Sequence, residues 1–173
     1  KLAQLKRSYD VDRTAACTAS GLCLEPGGTL TLFNAGDSGV YRMRGGLVVK
    51  LTRDHTLANR LRDNGAPPEL VAEAQQTDAH VITRAFGMDD APPDILDLKR
   101  SKYVAGDVFV VCTDGLSDVL GDEEMVSVLS EHADKPAQSL VERALAKGTT
   151  DNVTAIVARV VDDKGEAWQT KRS

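Results

Sequence analysis

Residues Val108-Phe109-Val110-Val111-Cys112 form an unbroken apolar run between Gly106-Asp107 and Thr113-Asp114-Gly115. Five β-branched, aromatic or small apolar residues closed by turn formers have the length of a strand rather than a helix. A strand with no polar face must be buried on both sides. This segment therefore commits the chain to a layered fold around a central strand.

Other segments supply layers. Ala15 to Leu24 reads as a strand of small residues, and Glu25-Pro26-Gly27-Gly28 as a turn. Thr29-Leu30-Thr31-Leu32-Phe33 alternates as a half-buried strand does. Val40 to Arg44 and Leu47 to Leu51 flank Gly45-Gly46, a pair that permits the positive φ of a hairpin turn. Further short strands are expected at Val81–Thr83, at Ile95–Leu98 and over Asn152–Val161.

Helical spacing appears between these strands. Leu2, Leu5 and Tyr9 fit the end of an amphipathic helix. Leu57 to Asn64 reads as a short helix stopped by Gly65. Pro67-Pro68-Glu69 opens another, with Leu70, Val71 and Ala74 on one face. Asp122-Glu123-Glu124 places acid at the start of a helix carrying Met125, Val126 and Leu129. A last helix opens at Pro136, with Leu140, Val141, Ala144 and Leu145 facing inward. Strands, helices, strands, helices and a strand make an α+β domain with an antiparallel sheet system. One domain over 1–161 is expected, with a polar, frayed tail at 162–173, consistent with a length of 173 residues.

Composition limits the partners. The net charge of −5 argues against a general grip on nucleic acid or an anionic membrane. No apolar run reaches the ~18 residues of a membrane-crossing helix. Cys17, Cys23 and Cys112 are odd in number and lack paired-ligand spacing, so they read as free, small buried residues of a cytoplasmic protein. His55, His80 and His132 match no zinc spacing and are read as structural polar groups.

The informative chemistry is acid placed beyond strand ends. Asp37 follows the Thr29–Phe33 strand, Asp114 and Asp118 follow the buried strand, and Asp151 precedes the last one. Converging carboxylates on rigid strand ends suit hard cations such as Mg²⁺ or Mn²⁺. Two partial motifs point elsewhere and fail. Gly36-Asp37-Ser38-Gly39 resembles a serine-protease nucleophile string, but the only nearby histidine, His55, comes after the serine, against that family's order. An apolar strand followed by Asp-Gly resembles haloacid-dehalogenase-type phosphatases, but Cys112 stands where their nucleophilic Asp must be.

Six strings in order resemble the metal-dependent serine/threonine phosphatases of the protein phosphatase 2C (PPM) family, in its compact bacterial form. They are Asn34–Ser38, Tyr41-Arg42 with the Gly45-Gly46 hairpin, Leu51–Leu57, Ile82–Gly87, Gly106-Asp107 with Val111–Asp118, and Thr150–Thr154. The resemblance implies an α-β-β-α sandwich of two antiparallel sheets. It also implies hydrolysis of phosphoserine or phosphothreonine by attack of a metal-bridging hydroxide. Two Mn²⁺ or Mg²⁺ ions and possibly a third belong to that chemistry. By motif position Asp114 and Asp151 are core metal ligands, and Asp37 with Asp118 holds the additional ion. Asn152 braces Asp151, and Gly115 supports the ligand set without binding metal. Thr56, Arg60 and Arg62 belong to a substrate flap spanning about residues 56–79, and His55 keeps a structural role. The implied partners are phosphoproteins, with a Ser/Thr kinase and its targets, and the implied state is a monomer.

Two departures shape the expectation. The family pattern has Arg where this chain has Gly39, which removes an ion pair near Asp37. Residues 1–13 also carry none of the family's early ligands, neither its Asp-Gly motif, its phosphate-binding Arg nor its general-acid His. The chain is thus expected to be the C-terminal portion of the family fold, with the general acid upstream of Lys1. The alternative is a non-catalytic phosphatase-like module that binds phosphoproteins or a kinase.

Overall fold

The computed structural model describes residues 16–88, 94–131 and 134–162. The helix expected over Leu2–Tyr9, His132, and nearly all of the tail lie outside the described residues.

Two antiparallel sheets carry the chain. The first has the order β1-β2-β5, built from β1 (Ala19–Glu25), β2 (Thr29–Ala35) and β5 (Asp97–Lys102). The second has the order β4-β3-β6-β7, built from β3 (Gly39–Arg44), β4 (Leu47–Lys50), β6 (Val108–Cys112) and β7 (Ala155–Arg159). The helices are α1 (Leu57–Asp63), α2 (Pro68–Thr77), the single turn α3 (Asp114–Ser117), α4 (Asp122–Ser130) and α5 (Pro136–Ala146).

The apolar run at 108–112 is a buried strand near the middle of the second sheet, as its composition requires. Its alternate side chains serve two cores. Phe109 packs with Val40, Leu30 and Leu32 between the sheets. Val108, Val110 and Cys112 face Met125, Val128, Leu129, Leu140 and Ala144 of α4 and α5. The β3–β4 hairpin turns through Gly45 and Gly46 at φ of 59° and 80°, the left-handed region that glycine enters without strain.

Several expectations shift. The strand expected at Ile95–Leu98 begins instead at Asp97 and runs to Lys102. It is a mostly exposed, charged edge strand, and such charge guards an open edge against further pairing. Val81–Thr83 forms no strand, only a single bridge from Ile82 to Thr56. The last strand is confined to Ala155–Arg159, because 152–154 are taken up by the loop beside Thr113. Leu70 and Leu145, expected inward, are exposed, and α2 buries only Val71 and Ala74. Cys112 is buried, but Cys17 and Cys23 are exposed. Cys23 pairs with Thr31 in β2, and both point away from the inter-sheet core that Leu30 and Leu32 enter.

One polar group is fully buried at the start of β6. Asp107 takes a bidentate pair from Arg44, with Nε–Oδ1 at 2.6 Å and Nη2–Oδ2 at 2.7 Å, and a third bond from the Val104 N–H at 3.0 Å. Burial alone pushes this carboxyl up. Arg44 and the Val104 N–H outweigh it, so Asp107 titrates below its ordinary value. The folded state then binds fewer protons there than the unfolded chain. Its stabilisation is present above the ordinary carboxylate range and is lost as pH falls through the lowered value. Arg44→Met leaves a buried carboxylate unpaired and is expected to cost about 2–3 kcal/mol in urea unfolding. The acid-side loss of stability should shrink in the same variant.

Candidate metal centre

Strand register places the acids. Gly39 pairs with Cys112 and Cys112 with Ala155. Continuing the antiparallel β3–β6 ladder by two residues sets Asp37 opposite Asp114. The same end of the sheet receives the 151–154 loop, tied down by Thr113. Its N–H donates to the Thr154 carbonyl (3.1 Å), and its Oγ1 donates to the Asn152 carbonyl (3.0 Å) and accepts from the Thr154 N–H (3.0 Å).

The Asp37 turn is held from several sides. The Gly36 N–H donates to His55 Nδ1 at 3.1 Å, and the His55 N–H returns to the Gly36 carbonyl at 2.9 Å. Because Nδ1 accepts, the ring proton sits on Nε2, which meets Asp97 Oδ2 at 2.9 Å. His55 is therefore a brace. Asn34 Nδ2 adds bonds to the carbonyls of Gly36 (3.1 Å) and Arg53 (2.9 Å). Gly36 has φ of 106°, and a Cβ there would lie 2.3 Å from Thr18 Cγ2, so only glycine fits.

Asp37, Asp114 and Asp118 line one cleft of about 180 Å³, together with Asp54, Lys50 and His80. Burial and then the Asp114 charge push the Asp37 carboxyl up. The same two causes, in the same order, raise Asp118, with His80 and Lys50 offsetting part. Asp54 Oδ1 is buried without a hydrogen-bond partner among the described residues, while its Oδ2 meets Lys50 Nζ at 2.6 Å. Raised carboxyls and an orphaned carboxylate oxygen around one small polar cleft are the donor set a divalent cation needs. The residues present fit such an ion.

Asp151 is exposed and does not line this cleft. It lies behind Gly115. A Cβ on that glycine would meet Asn152 O at 2.6 Å and Asp151 Cβ at 3.3 Å. Asn152 meets Asp151 through its backbone, whose N–H donates to Asp151 Oδ1 at 2.6 Å. Of the flap residues, Thr56 caps α1 by accepting from the Asn59 N–H (3.3 Å) and reaches the cleft. Arg60 lines a separate cavity with Arg53, Asn59 and Asp63. Arg62 turns back to Asn59 Oδ1 on its own helix.

Sequence reading missed Lys50, Asp54 and His80 as neighbours of the cleft. The signal for Lys50 was Gly39. A Cβ there would lie 2.8 Å from Tyr41 Cε2 and 2.9 Å from Lys50 Cε. Lys50 thus occupies the space that a longer residue at 39 would need, and places a cation beside the acids. Burial disfavours its charge, but Tyr41 and Asp54 outweigh that and hold its pKa above the ordinary value. The Cys112 thiol, beneath the same wall, is pushed up to about 12 by burial and is chemically quiet.

The tight seat of Gly115 gives a test. Gly115→Ala should force the Asp151–Asn152 loop away from Asp114 and weaken Mn²⁺ binding by about tenfold or more in calorimetry, as moving support around a ligand set does. Asp37→Asn should remove like-charge repulsion and raise the melting temperature of the metal-free chain by about 1–3 °C. About 1 kcal/mol moves it by about 2–4 °C at this size, and solvent reduces the gain.

Comparison with known proteins agrees with this geometry. The family model for protein phosphatase 2C matches residues 2–153. The serine/threonine protein phosphatase PstP of Mycobacterium tuberculosis is 36% identical over 139 residues, covering 79% of this chain and 26% of that protein. Among solved structures, PppA, described as a key regulatory component of T6SS in Pseudomonas aeruginosa, superposes with a TM-score of 0.72 at 33% identity. That match covers 90% of this chain and 62% of PppA. The catalytic domain of PstP in complex with two manganese ions gives a TM-score of 0.72 at 34% identity, covering 93% of this chain and 65% of that one. The chain spans about a quarter of the curated PstP protein and under two thirds of the PppA chain. By family match, identity and shared fold, the chain belongs to the protein phosphatase 2C family.

Proposed function

We propose that this chain supplies part of the active centre of a metal-dependent protein phosphatase acting on phosphoserine and phosphothreonine. The convergence of Asp37, Asp114 and Asp118 on one cleft carries this reading. Asp114 and Asp151 would hold the principal Mn²⁺ or Mg²⁺ ions, and Asp37 with Asp118 an additional one. Asn152 and Gly115 would keep Asp151 in place, and Thr56, which reaches the cleft, would meet the substrate, with Arg60 and Arg62 on the flap beyond it. When bound, the cations polarise water and offset phosphoryl charge.

The chain's own residues prepare that chemistry. His55 fixes the Asp37 turn, and Lys50 holds Asp54 at the cleft wall. Neither Ser38 nor His55 is free to act as a nucleophile. Ser38 Oγ is nearly buried and shares a hydrogen bond with Thr18 Oγ1 at 2.9 Å, and His55 is engaged by Gly36 and Asp97. Direct attack by water fits these residues better than a phosphoenzyme.

The substrates would be phosphoproteins of a Ser/Thr kinase, since the similar proteins include serine/threonine phosphatases. No helix among the described residues is long and apolar enough to cross a membrane. The free thiols support a cytoplasmic location. No observation among the described residues favours the non-catalytic module.

Phosphopeptide hydrolysis by the protein should require Mn²⁺ or Mg²⁺ and stop on chelation. Asp114→Asn should lower kcat by about 10²-fold or more, as loss of a group that organises transition-state charge does. Hydrolysis that survives thorough chelation would overturn the proposal.

A further inference from the structure

The loop that returns from α2 brings the His80 imidazole to the acidic cleft, although its sequence spacing suggested only a structural polar role. We propose that His80 is a nitrogen ligand for a cation held with Asp114 and Asp118, and that it makes this position prefer Mn²⁺ over Mg²⁺. The proposal rests on reading the cleft as a metal centre and adds to it a residue of this chain and a basis for metal choice.

The geometry points to a shared ion. One ligand atom each from His80, Asp114 and Asp118 lie within 4.8 Å of one another. His80 Nδ1 stands 3.6 Å from Asp118 Oδ2, beyond hydrogen-bond length. Ligands about 2.1 Å from one ion lie about 3 Å apart at right angles and about 4.2 Å apart when opposed. The His80–Asp118 separation of 3.6 Å falls between these. No hydrogen bond to a described residue fixes the ring, whose side chain is 78% exposed and free to adjust.

The backbone beneath the ring is fixed, however. The Leu57 N–H donates to the Val81 carbonyl at 2.9 Å, the Val81 N–H to Asp78 at 3.0 Å, and Ile82 bridges Thr56. These contacts close the neck of the α1–α2 hairpin where it meets the cleft, so an ion on His80 would tie that hairpin to the Asp114 turn. Chemistry sets the preference. Imidazole binds transition-metal ions readily, whereas Mg²⁺ prefers oxygen ligands and keeps its waters.

The test compares the full chain with His80→Ala and Asp114→Asn, titrating Mn²⁺ and Mg²⁺ separately by calorimetry. His80→Ala should weaken Mn²⁺ binding by about tenfold or more and change Mg²⁺ binding by less than about twofold. In the unmodified chain, substoichiometric Mn²⁺ should broaden the His80 ring resonances in NMR before those of His55. Equal effects of His80→Ala on both ions, an unbroadened His80 ring, or no Mn²⁺ binding at millimolar concentration would each overturn the proposal. If Asp114→Asn weakens Mn²⁺ binding and His80→Ala does not, the His80 assignment alone falls. If Asp114→Asn leaves Mn²⁺ binding unchanged, the metal-centre reading falls with it.

Discussion

The antiparallel pairing of β3 with β6 is the constraint on which the rest of the structure depends. Gly39 opposite Cys112 fixes where both strands end. The residue two positions before β3 and the residue two positions after β6 then emerge side by side, and both are aspartates. A register slip of one residue would send alternate side chains to the wrong faces and separate the two carboxylates. The burial that enforces the register comes from both sides of β6, with Phe109 in the inter-sheet core and Val108, Val110 and Cys112 against α4 and α5. The same apolar segment that demands a layered fold therefore also aims the acids.

Rigidity at that end comes from short polar contacts rather than further core. His55 and Asn34 tie the Asp37 turn to the segment after β4, and Thr113 ties the 151–154 loop to the start of α3. Glycine is used where close approach requires it. Gly36 leaves room for Thr18, Gly39 for Lys50 and Tyr41, and Gly115 for Asn152. The repulsion among Asp37, Asp114 and Asp118 is the cost of this arrangement. A site that destabilises its empty form in this way is common where function needs concentrated charge.

Much of this was legible from residues alone. The buried strand, the Gly45-Gly46 hairpin, and the acids beyond strand ends follow from local pattern. Local pattern cannot supply long-range register, so the neighbours that arrive through it were missed. Lys50 comes from the strand paired with β3, and His80 from the loop after α2. β5 was misplaced for a related reason. Its residues are charged, and it is a strand because it pairs with β2, not because it buries a face. Cys23 is exposed because its side chain points away from the core that Leu30 and Leu32 enter.

The most direct measurement is anomalous diffraction at the manganese edge from crystals grown with Mn²⁺. A peak bounded by the carboxylates of Asp37, Asp114 and Asp118 is expected, with β3 and β6 in the register described. A map with those strands in place and no peak in that cleft, or with manganese bound only elsewhere, would contradict the claim that strand register builds a metal centre here.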